Sequence, residues 1–260
     1  MTDDKFLDVA KKAALEAGKI ISKYSGSFGE KIIKGGDKSN FATKADIEAE
    51  EIIIEILSKY FPDHNIIGEE KGKINKGSAY TWAIDPVDGT FSFAHGIPYF
   101  STSIGLLFNN EPYVGVINHV TENNLYQAQK AKGVFLNNKK IATTKVSNLE
   151  ESAVGLDVGH KQTRKKNIES YGVRLMSRCG YPYIFGSAVT NQALVAQGML
   201  DGYVAEAWIW DFVAGAVIVR EAGGKVTDFS GNEPDWSKER LNIVASNGLI
   251  HDQMLEALKA

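Results

Sequence analysis

Residues 82–93 read Trp-Ala-Ile-Asp-Pro-Val-Asp-Gly-Thr-Phe-Ser-Phe, and the fold prediction starts from this stretch. Its apolar start predicts a strand that delivers Asp85 to its C-terminal end, where Pro86 stops ladder hydrogen bonding and turns the chain out of the sheet. Gly89 and Thr90 open a short predicted helix, and a helix start offers free backbone N–H groups that suit phosphate. Two carboxylates at such a place repel an anion unless divalent cations lie between them, so the stretch predicts a metal and phosphate site.

Carboxylates also stand at the ends of other predicted elements, where loops converge and water enters. A pair follows a short apolar strand at 65–67, one acid opens the apolar helix 211–222, and another begins the second predicted helix. Carboxylates without histidine or cysteine partners favour hard cations such as Mg²⁺ or Mn²⁺ over zinc, and the histidines of this chain are scattered. These acids are Glu69, Glu70, Asp211 and Asp46.

Each of these features also has a simpler interpretation. Residues 85–89 are typical of a plain turn after a strand, because Asp, Pro and Gly all favour turns. Asp211 suits the N-cap of the helix that follows it, and Thr43 with Asp46 has the spacing of a capping box. The two adjacent glutamates are consistent with a solvated pair in a charged loop. Only the joint occurrence of these features favours a functional site.

The composition is that of an ordinary globular protein. The chain has 260 residues, of which 43% are hydrophobic and 23% charged. With 29 Lys and Arg against 32 Asp and Glu, it has no basic excess for nucleic acid or anionic lipid. The single cysteine, Cys179, excludes an internal disulfide framework and a cysteine-based zinc site. The longest apolar run, 208–219, is too short to span a bilayer, and the N-terminus lacks the order of a signal peptide. A cytoplasmic protein with no nucleic-acid or membrane partner is therefore expected.

The N-terminal part of the chain is predicted to contain two helices and then short strands. A helix is predicted from Phe6 to Ile20, with Asp3 and Asp4 at its N-terminal end and a break at 25–27. A polar, flexible loop is predicted at residues 35–40, and the second helix has an apolar face over residues 49–60. A strand at 80–84 should stop at the proline, and short connections favour antiparallel strands up to about residue 157. The predicted hairpin turns are Asn109-Asn110 and Asn137-Asn138.

Beyond Ser152, strands alternate with predicted helices at 163–177, 187–199, 211–222 and 248–258. This change predicts an N-terminal subdomain, 1–150, with most of the metal ligands, and a C-terminal subdomain, 151–260, with Asp211 and the substrate contacts. The fold class predicted from the pattern is α+β or layered α/β, with two sheets sandwiched by helices.

Two stretches resemble the signatures of the inositol monophosphatase family. The first is 82–93, and the second runs from Trp210-Asp-Phe-Val-Ala-Gly215 to Glu221-Ala-Gly-Gly224. Gly68-Glu69-Glu70, Gly186-Ser187-Ala188 and Glu206 fall in the family's order and approximate spacing. The resemblance covers essentially the whole chain, and the two signatures together are highly specific.

The resemblance implies a layered α-β-α-β-α sandwich with an antiparallel N-terminal sheet and a mixed C-terminal sheet. It also implies a homodimeric, Mg²⁺-dependent, lithium-sensitive phosphomonoesterase that uses two to three ions, with Mn²⁺ as a substitute for Mg²⁺. The first ion would be held by Glu69, Asp85 and the Val87 carbonyl, and a third, looser ion would touch the same glutamate. The ligands of the second ion would be Asp85, Asp88 and Asp211.

The family's catalytic and substrate roles fall on further residues of this chain. Thr90, with Asp46 behind it, would orient the metal-activated water, and Glu69 would share in catalysis. The backbone N–H groups of Gly89 and Thr90 would bind the phosphate, beside Asp88 and Asp211. The residues expected to face the alcohol are Ser187, Ala188 and Glu206, and a mobile loop over Lys34–Lys38 would cover the metals.

Three departures from the family's pattern bear on substrate choice and packing. Ser92 stands where relatives often have Asn, and Val213 stands where Ala is usual. Residues 183–185 lack an arginine that many relatives have there, although Arg174 or Arg178 could substitute.

The expected substrate is inositol monophosphate, with fructose 1,6-bisphosphate second. Nucleotide 2′- or 3′-phosphates and NADP remain alternatives on the same scaffold. A haloacid-dehalogenase-type phosphatase is a rival, but it needs a nucleophilic aspartate where this chain has Pro86. The remote alternative is a non-catalytic module that binds metal and phosphate.

Overall fold

The computed structural model describes residues 4–25 and 31–259, so Asp3 and most of the predicted break at 25–27 lie outside the described residues. The helices are α1 (Asp4–Tyr24), α2 (Lys44–Tyr60), α3 (Thr90–Ala94), α4 (Lys161–Asn167), α5 (Val173–Met176), α6 (Ala188–Gln197), α7 (Val213–Glu221) and α8 (His251–Lys259). Short 3₁₀ turns lie at Val120–Glu122, Leu149–Glu151 and Ile209–Asp211, and a π-helical turn, Ile168–Gly172, joins α4 to α5.

The strands form three sheets. Their bounds are β1 (Ile32–Lys34), β2 (Asp37–Ala42), β3 (Asn65–Gly68), β4 (Gly72–Ile74), β5 (Tyr80–Asp88), β6 (Ser101–Phe108), β7 (Glu111–His119), β8 (Asn124–Gln129), β9 (Val134–Leu136), β10 (Lys139–Lys140), β11 (Ala153–Leu156), β12 (Tyr181–Tyr183), β13 (Gly202–Trp208), β14 (Lys225–Thr227) and β15 (Arg240–Ser246).

The N-terminal sheet has the order β10-β9-β8-β7-β6-β5-β3-β4 and is antiparallel except for the parallel pair β3 and β5. The C-terminal sheet, β12-β11-β13-β15-β14, is mixed, because β11 runs parallel to both of its neighbours while β15 is antiparallel to β13 and β14. Strands β1 and β2 form a separate hairpin.

Among the described residues, side chains that alternate along the strands build three cores: a middle core between the two large sheets and an outer core on the far side of each. Trp82 and Ile84 pack with α1 and α2, whereas Ala83 points to the other face and packs with α6 and α7. In the C-terminal sheet, Tyr203 joins that same middle core, while Val204 packs outward with α5 and α8. The predicted α-β-α-β-α sandwich is therefore confirmed. Because the middle core contains residues from both halves, the subdomain boundary near residue 150 stays a prediction.

Helix α7 lies unusually close to the N-terminal sheet. A Cβ atom built on Gly105 of β6 would come 2.5 Å from Val213 Cγ1, and one on Gly115 of β7 would come 2.3 Å from the Ala214 carbonyl oxygen. Glycines at these two strand positions let the helix backbone approach the sheet. Val213, one of the departures from the family's pattern, thus fills the space above Gly105, directly behind the turn that carries Asp211.

Turn chemistry predicted the hairpins correctly. The Asn109-Asn110 pair has φ angles of 50° and 59°, and the Asn137-Asn138 pair has 47° and 66°. Both pairs join antiparallel strands, β6 to β7 and β9 to β10. Asparagine tolerates this left-handed conformation better than most residues, which explains why it marks both turns.

Two local predictions were wrong. The stretch 35–40 is not a flexible loop, because most of it belongs to the β1–β2 hairpin, whose tight turn is Gly35-Gly36. Strand β5 also continues through Pro86 to Asp88 instead of stopping there. Pro86 falls at an irregularity in the pairing with β6, where a ladder donor is not required, so the chain stays in the sheet.

The C-terminal helices begin and end close to the predicted positions, with one change beside the site. The expected helix at 211–222 starts at Val213, since Ile209–Asp211 forms a 3₁₀ turn. In the part of the chain that the structure describes, no helix combines the length and the apolar character needed to cross a bilayer.

His251, at the start of α8, is fully buried in the outer core. Ser246 Oγ lies 2.8 Å from its Nδ1, and Thr227 Oγ1 lies 2.9 Å from its Nε2. Because the Thr227 hydroxyl donates to the carbonyl oxygen of Asp228, it accepts from Nε2–H, and the Ser246 hydroxyl donates to Nδ1. The neutral imidazole therefore makes one hydrogen bond with each of the two hydroxyl groups.

We expect His251 to make the fold lose stability as the pH falls. Burial, reinforced by the charge of Lys225 and opposed by Asp252, lowers the pKa of His251 from 6.5 to about 4. Between these values the unfolded chain binds a proton that the folded chain rejects, which costs up to about 3 kcal/mol. Urea unfolding of the unmodified protein and His251→Gln, whose amide can serve both hydroxyls, should show a smaller loss in the variant from about pH 7 to pH 4. Parallel pH curves would contradict this assignment.

Candidate active site

Three buried carboxylates meet at one end of the middle layer. Asp85 and Asp88 come from β5, and Asp211 comes from the 3₁₀ turn after β13. Each offers an oxygen atom, and the three atoms lie within 4.8 Å of one another. Residues that are more than 120 positions apart in the sequence thus form one cluster, which we call the aspartate cluster.

A β-bulge places the first two of these carboxylates on the same side. Asp85 and Asp88 are three residues apart, and in an unbroken strand an odd separation points side chains to opposite faces. Asp85 pairs with Ser103 and Asp88 with Ser101, so β5 contains one extra residue here. The bulge resets the alternation, and Pro86, which has no N–H to donate, lies within it.

Hydrogen bonds, mainly from backbone N–H groups, hold each carboxylate of the aspartate cluster in place. The N–H groups of Ala188 and Val189, at the start of α6, donate to Asp88 over 3.1 and 2.8 Å, and the Ser187 hydroxyl donates to it as well. Trp208 N donates to Asp211 Oδ2 over 2.7 Å, and Val87 N to Asp85 Oδ1 over 3.0 Å. These bonds fix the carboxylates without neutralising them.

The alcohol-facing residues expected from the family occupy different environments. Ser187 and Ala188 are buried, and both contact Asp88. Glu206 is half-buried and pairs with Lys166 Nζ at 3.1 Å and with Arg240 Nη2 at 3.7 Å. That these residues face the alcohol of a substrate stays a prediction.

Glu69 and Glu70 follow β3, at the strand end where they were expected. Lys34 Nζ, from the β1–β2 hairpin, lies 2.7 Å from Glu69 Oε1 and 2.5 Å from Glu70 Oε1. Although burial acts in the opposite direction, the charges of the two glutamates raise the pKa of Lys34. Burial and the neighbouring Glu69 raise the pKa of Glu70 to about 7. The lysine is thus a fixed positive charge beside the predicted metal ligand Glu69.

The buried Asp46 and the half-buried Thr90 form a hydrogen-bonded pair beside the bulge. The Thr90 hydroxyl lies 2.9 Å from both Asp46 Oδ1 and the Val87 carbonyl oxygen. Thr43 N donates to Asp46 Oδ2 over 2.8 Å at the start of α2, as the capping-box spacing predicts. Burial raises the pKa of Asp46 to about 6, against the effect of the Thr43 donors. Asp46 therefore both caps α2 and orients Thr90.

Gly89 makes the short helix α3 possible at this position. Its φ angle is 89°, in the left-handed region, and a Cβ there would lie 2.8 Å from the Tyr99 carbonyl oxygen. Only glycine fits both requirements. The first N–H groups of a helix have no partner within it, so α3 can present donors to an anion beside the cluster.

Burial is the main cause of the raised pKa values in the aspartate cluster, and repulsion between neighbouring carboxylates adds to it. Burial, then the negative charges of Glu69 and Asp88, raise the pKa of Asp85 well above its usual range. Burial, then the charges of Asp88 and Glu69, do the same to the pKa of Asp211. Burial also raises the pKa of Asp88 to about 7, although its three donors oppose the shift. Full ionisation of these groups near neutral pH requires a compensating positive charge.

A divalent cation fits this donor set. The cluster offers only carboxylate oxygens, and the Val87 carbonyl adds another oxygen close by. Hard cations prefer such ligands, whereas zinc favours imidazole and thiolate.

Glu50 was missed by the sequence reasoning. It is fully buried on α2 and accepts hydrogen bonds from Glu70 N and Lys71 N over 3.0 and 2.9 Å. Its position four residues after Asp46, on the same face of α2, was the available signal.

Comparison with known proteins gives the family. Residues 2–260 match the model of the inositol monophosphatase family. This chain belongs to the inositol monophosphatase family. A Thermotoga maritima relative named fructose-1,6-bisphosphatase/inositol-1-monophosphatase is 38% identical, over 97% of this chain and 95% of the relative. Because the family and this relative are named for phosphatase activity, the chain is a phosphomonoester hydrolase, and membership of the family implies use of a divalent metal.

Solved structures agree with this assignment. An inositol monophosphatase from Anabaena has a TM-score of 0.87 at 35% identity, covering 98% of this chain and 96% of that one. An extragenic suppressor protein from Bartonella henselae has a TM-score of 0.90 at 31% identity and covers 98% of both chains. The inositol monophosphatase fold thus extends over the whole described chain.

Replacing one cluster aspartate should stabilise the metal-free protein. In Asp85→Asn, the amide oxygen still accepts from Val87 N, but one buried negative charge is gone. Because the folded pKa of Asp85 is raised, the unmodified protein loses stability as the pH rises, and the variant should lose less. We expect the variant to gain about 1 kcal/mol or more at alkaline pH.

Urea unfolding in the presence of a chelator, at acid and alkaline pH, measures this effect. Asp8→Asn, on the exposed face of α1, is the control and should show no such gain. A variant that is less stable than the unmodified protein at both pH values would show that the buried charge of Asp85 does not destabilise the metal-free fold.

Proposed function

We propose that this chain is a Mg²⁺-dependent phosphatase that hydrolyses inositol monophosphate. The observation that carries the proposal is the convergence of Asp85, Asp88 and Asp211. Its relatives in Thermotoga and Synechocystis are named for inositol-1-monophosphatase activity, which supports this substrate class.

The proposed ligands are those that the family resemblance assigns, and the closeness of the three aspartates supports them. Glu69, Asp85 and the Val87 carbonyl would hold one Mg²⁺, and the three cluster aspartates would hold another. A third, looser ion would contact Glu69, where Lys34 now lies. When bound, these ions supply an activated water molecule and stabilise the departing alcohol oxygen.

The chain's own residues would orient the reactants. Asp46 Oδ1 accepts the Thr90 proton, which leaves lone pairs on the Thr90 hydroxyl free to accept a hydrogen bond from the attacking water. The N–H groups of Gly89 and Thr90 would bind phosphate oxygens, next to Asp88 and Asp211. These fixed donors hold the phosphate in line with the water and need no rearrangement during the reaction.

The alcohol would lie toward Glu206, with Ser187 and Ala188 beside Asp88. Glu206 can accept hydrogen bonds from polyol hydroxyls. Lys166 and Arg240, which pair with it, supply positive charge that suits a second phosphate. This observation favours fructose 1,6-bisphosphate as the second candidate substrate.

A substrate panel tests the proposed function. With Mg²⁺, we expect inositol monophosphate to show the highest kcat/KM, followed by fructose 1,6-bisphosphate, with Mn²⁺ as a substitute and Li⁺ as an inhibitor. Asp211→Asn should lower kcat/KM by about 100-fold or more, since it removes a proposed metal ligand. Asp8→Asn is the matched control and should retain activity.

The other outcomes separate the rival functions. A preference for a nucleotide 2′- or 3′-phosphate or NADP would overturn the substrate assignment. Phosphorylation of Asp85 or Asp88, detected by mass spectrometry, would indicate a covalent mechanism of the haloacid dehalogenase type. Absence of turnover across the whole panel would support a metal and phosphate binding module.

The proposal includes a cytoplasmic homodimer. The use of a single cysteine suits a reducing compartment. Tyr181 lies on the edge strand β12 and is 63% exposed, and nearby Ile184 is 54% exposed. A row of aromatic rings runs inward from Tyr181 through Tyr183 and Phe185. An exposed sheet edge beside apolar side chains supports self-association there.

Light scattering tests the dimer. We expect a dimeric mass for the unmodified protein and a larger monomer fraction for Ile184→Glu, because a charge would be buried in the interface. Leu15→Glu, at an exposed apolar position on α1, should leave the mass unchanged. A monomeric unmodified protein would exclude the proposed dimer.

A further inference from the structure

We propose that Glu50 is a positioning residue that sets the location of the metal-binding glutamate turn. This turn, Gly68–Lys71, joins β3 to β4 and carries Glu69. Glu50 Oε2 accepts from Glu70 N over 3.0 Å and from Lys71 N over 2.9 Å. One buried carboxylate thus binds two consecutive amides of the turn. The proposal rests on the proposed Mg²⁺-dependent activity.

Helix α2 connects this turn to the residues that would orient the water. Asp46 and Glu50 are both fully buried and lie one helical turn apart, so their side chains point to the same face. Asp46 binds the Thr90 hydroxyl, while Glu50 binds the amides that follow Glu69. Helix α2 therefore links Thr90 to the glutamate turn, in addition to β5, whose Ile84 carbonyl oxygen accepts from Glu69 N over 3.2 Å.

Because Gly68 has no side chain, it leaves the space that the Glu50 carboxylate occupies. A Cβ atom at position 68 would lie 1.8 Å from Glu50 Oε1 and 2.9 Å from its Cδ, so any larger residue would displace the side chain. The close approach is what brings Glu50 under the turn.

The arrangement carries a cost in stability. Glu50 Oε1 has no hydrogen-bond partner among residues 4–25 and 31–259. A buried oxygen without a partner is unfavourable, and an apolar side chain would avoid this penalty. An apolar side chain would, however, leave the amides of Glu70 and Lys71 without their acceptor. We infer that Glu50 is kept in spite of this penalty because it fixes the position of the turn.

Besides the backbone hydrogen bond from Glu69 N to the Ile84 carbonyl oxygen, side chains hold the glutamate turn from two sides. Lys34 binds the carboxylates of Glu69 and Glu70 from the hairpin, and Glu50 binds the backbone from α2. If metal ions displace Lys34 from Glu69, the backbone contact with Glu50 still holds the turn. Glu50 Oε2 is occupied by two amides of the turn and Oε1 lies against Gly68, so Glu50 acts through the turn that carries Glu69.

Metal binding measures this role directly. For Glu50→Ala, we expect the Mg²⁺ concentration that gives the half-maximal thermal shift to rise about tenfold or more, as when residues that orient metal ligands are removed. Glu50→Gln keeps an acceptor oxygen and should bind Mg²⁺ nearly as the unmodified protein does. Hydrogen exchange at the amides of Glu70 and Lys71 should become faster in Glu50→Ala. At saturating Mg²⁺, most of kcat should return, because Asp46 and Thr90 are intact.

Glu51→Ala is the matched control. This neighbour lies on the exposed side of α2 and pairs with Lys71 Nζ at 2.6 Å, so it contacts the same turn through a side chain only. Its removal should leave Mg²⁺ binding unchanged. A lower melting temperature in Glu50→Ala with unchanged Mg²⁺ dependence would show that Glu50 is purely structural and would overturn the inference.

Gly68→Ala provides a second test that keeps the glutamate. Its methyl group should displace Glu50 and weaken Mg²⁺ binding as Glu50→Ala does. In the double variant the clash disappears, so the two effects should be less than additive. Full additivity would contradict the proposed contact. If Glu50→Ala does not fold, Gly68→Ala and Glu50→Gln decide the question in the same binding assay.

Different results would overturn the proposed function and the proposed role of Glu50. An unmodified protein with no Mg²⁺-dependent turnover would overturn the function. An unmodified protein that turns over substrate, with Glu50→Ala binding Mg²⁺ equally well, would overturn only the role of Glu50.

Discussion

Repulsion between buried carboxylates is the constraint on which this structure depends. Like charges at such short distances destabilise a fold unless something holds them together. In this chain the restraint comes mainly from main-chain N–H groups, which are fixed dipoles and leave the negative charge available to a cation. Hydrogen bonds of this kind reach Asp46, Asp85, Asp88 and Asp211. Lys34 is the exception, since it places a full positive charge on Glu69 and Glu70. A cation bound at Glu69, as proposed, would compete with this fixed ammonium group for the same side of the site.

The layered architecture follows from the need to join distant segments. Asp85 and Asp88 come from the N-terminal sheet, whereas Asp211 comes from the turn between β13 and α7. Helices α6 and α7 lie between the sheets, and Gly105 and Gly115 let α7 pack directly on β6 and β7. The same helix layer supplies the α6 N-terminus that binds Asp88. The middle core therefore has two roles, because it stabilises the fold and sets the distances within the cluster.

Local chemistry could be predicted from the sequence, and contacts between distant segments could not. Asparagine pairs marked the hairpin turns, and acids at element ends marked the site, because both depend on neighbouring residues. The hairpin over 32–42 was missed, since a strand of polar residues such as Asp37 to Asn40 has no apolar alternation to detect. The bulge at Pro86 depends on pairing with β6, and spacing alone does not reveal it. The contact of Ser187 with Asp88 crosses 99 positions of sequence, beyond the reach of any local pattern.

The site combines rigid and adaptable parts, and this division has a consequence for specificity. The aspartate cluster and Thr90 are held by main-chain donors and by buried side chains of α2, so the hydrolytic geometry tolerates little change. Glu206, Lys166 and Arg240 are instead partly exposed and bind one another through long side chains. Ion pairs of this kind contribute little to stability and rearrange easily. On the proposed assignment of Glu206 to the alcohol side, a different alcohol would be accommodated by reorienting these three side chains, without disturbing the groups proposed to hold the phosphate. We therefore expect substrate preference to be set by residues outside the aspartate cluster.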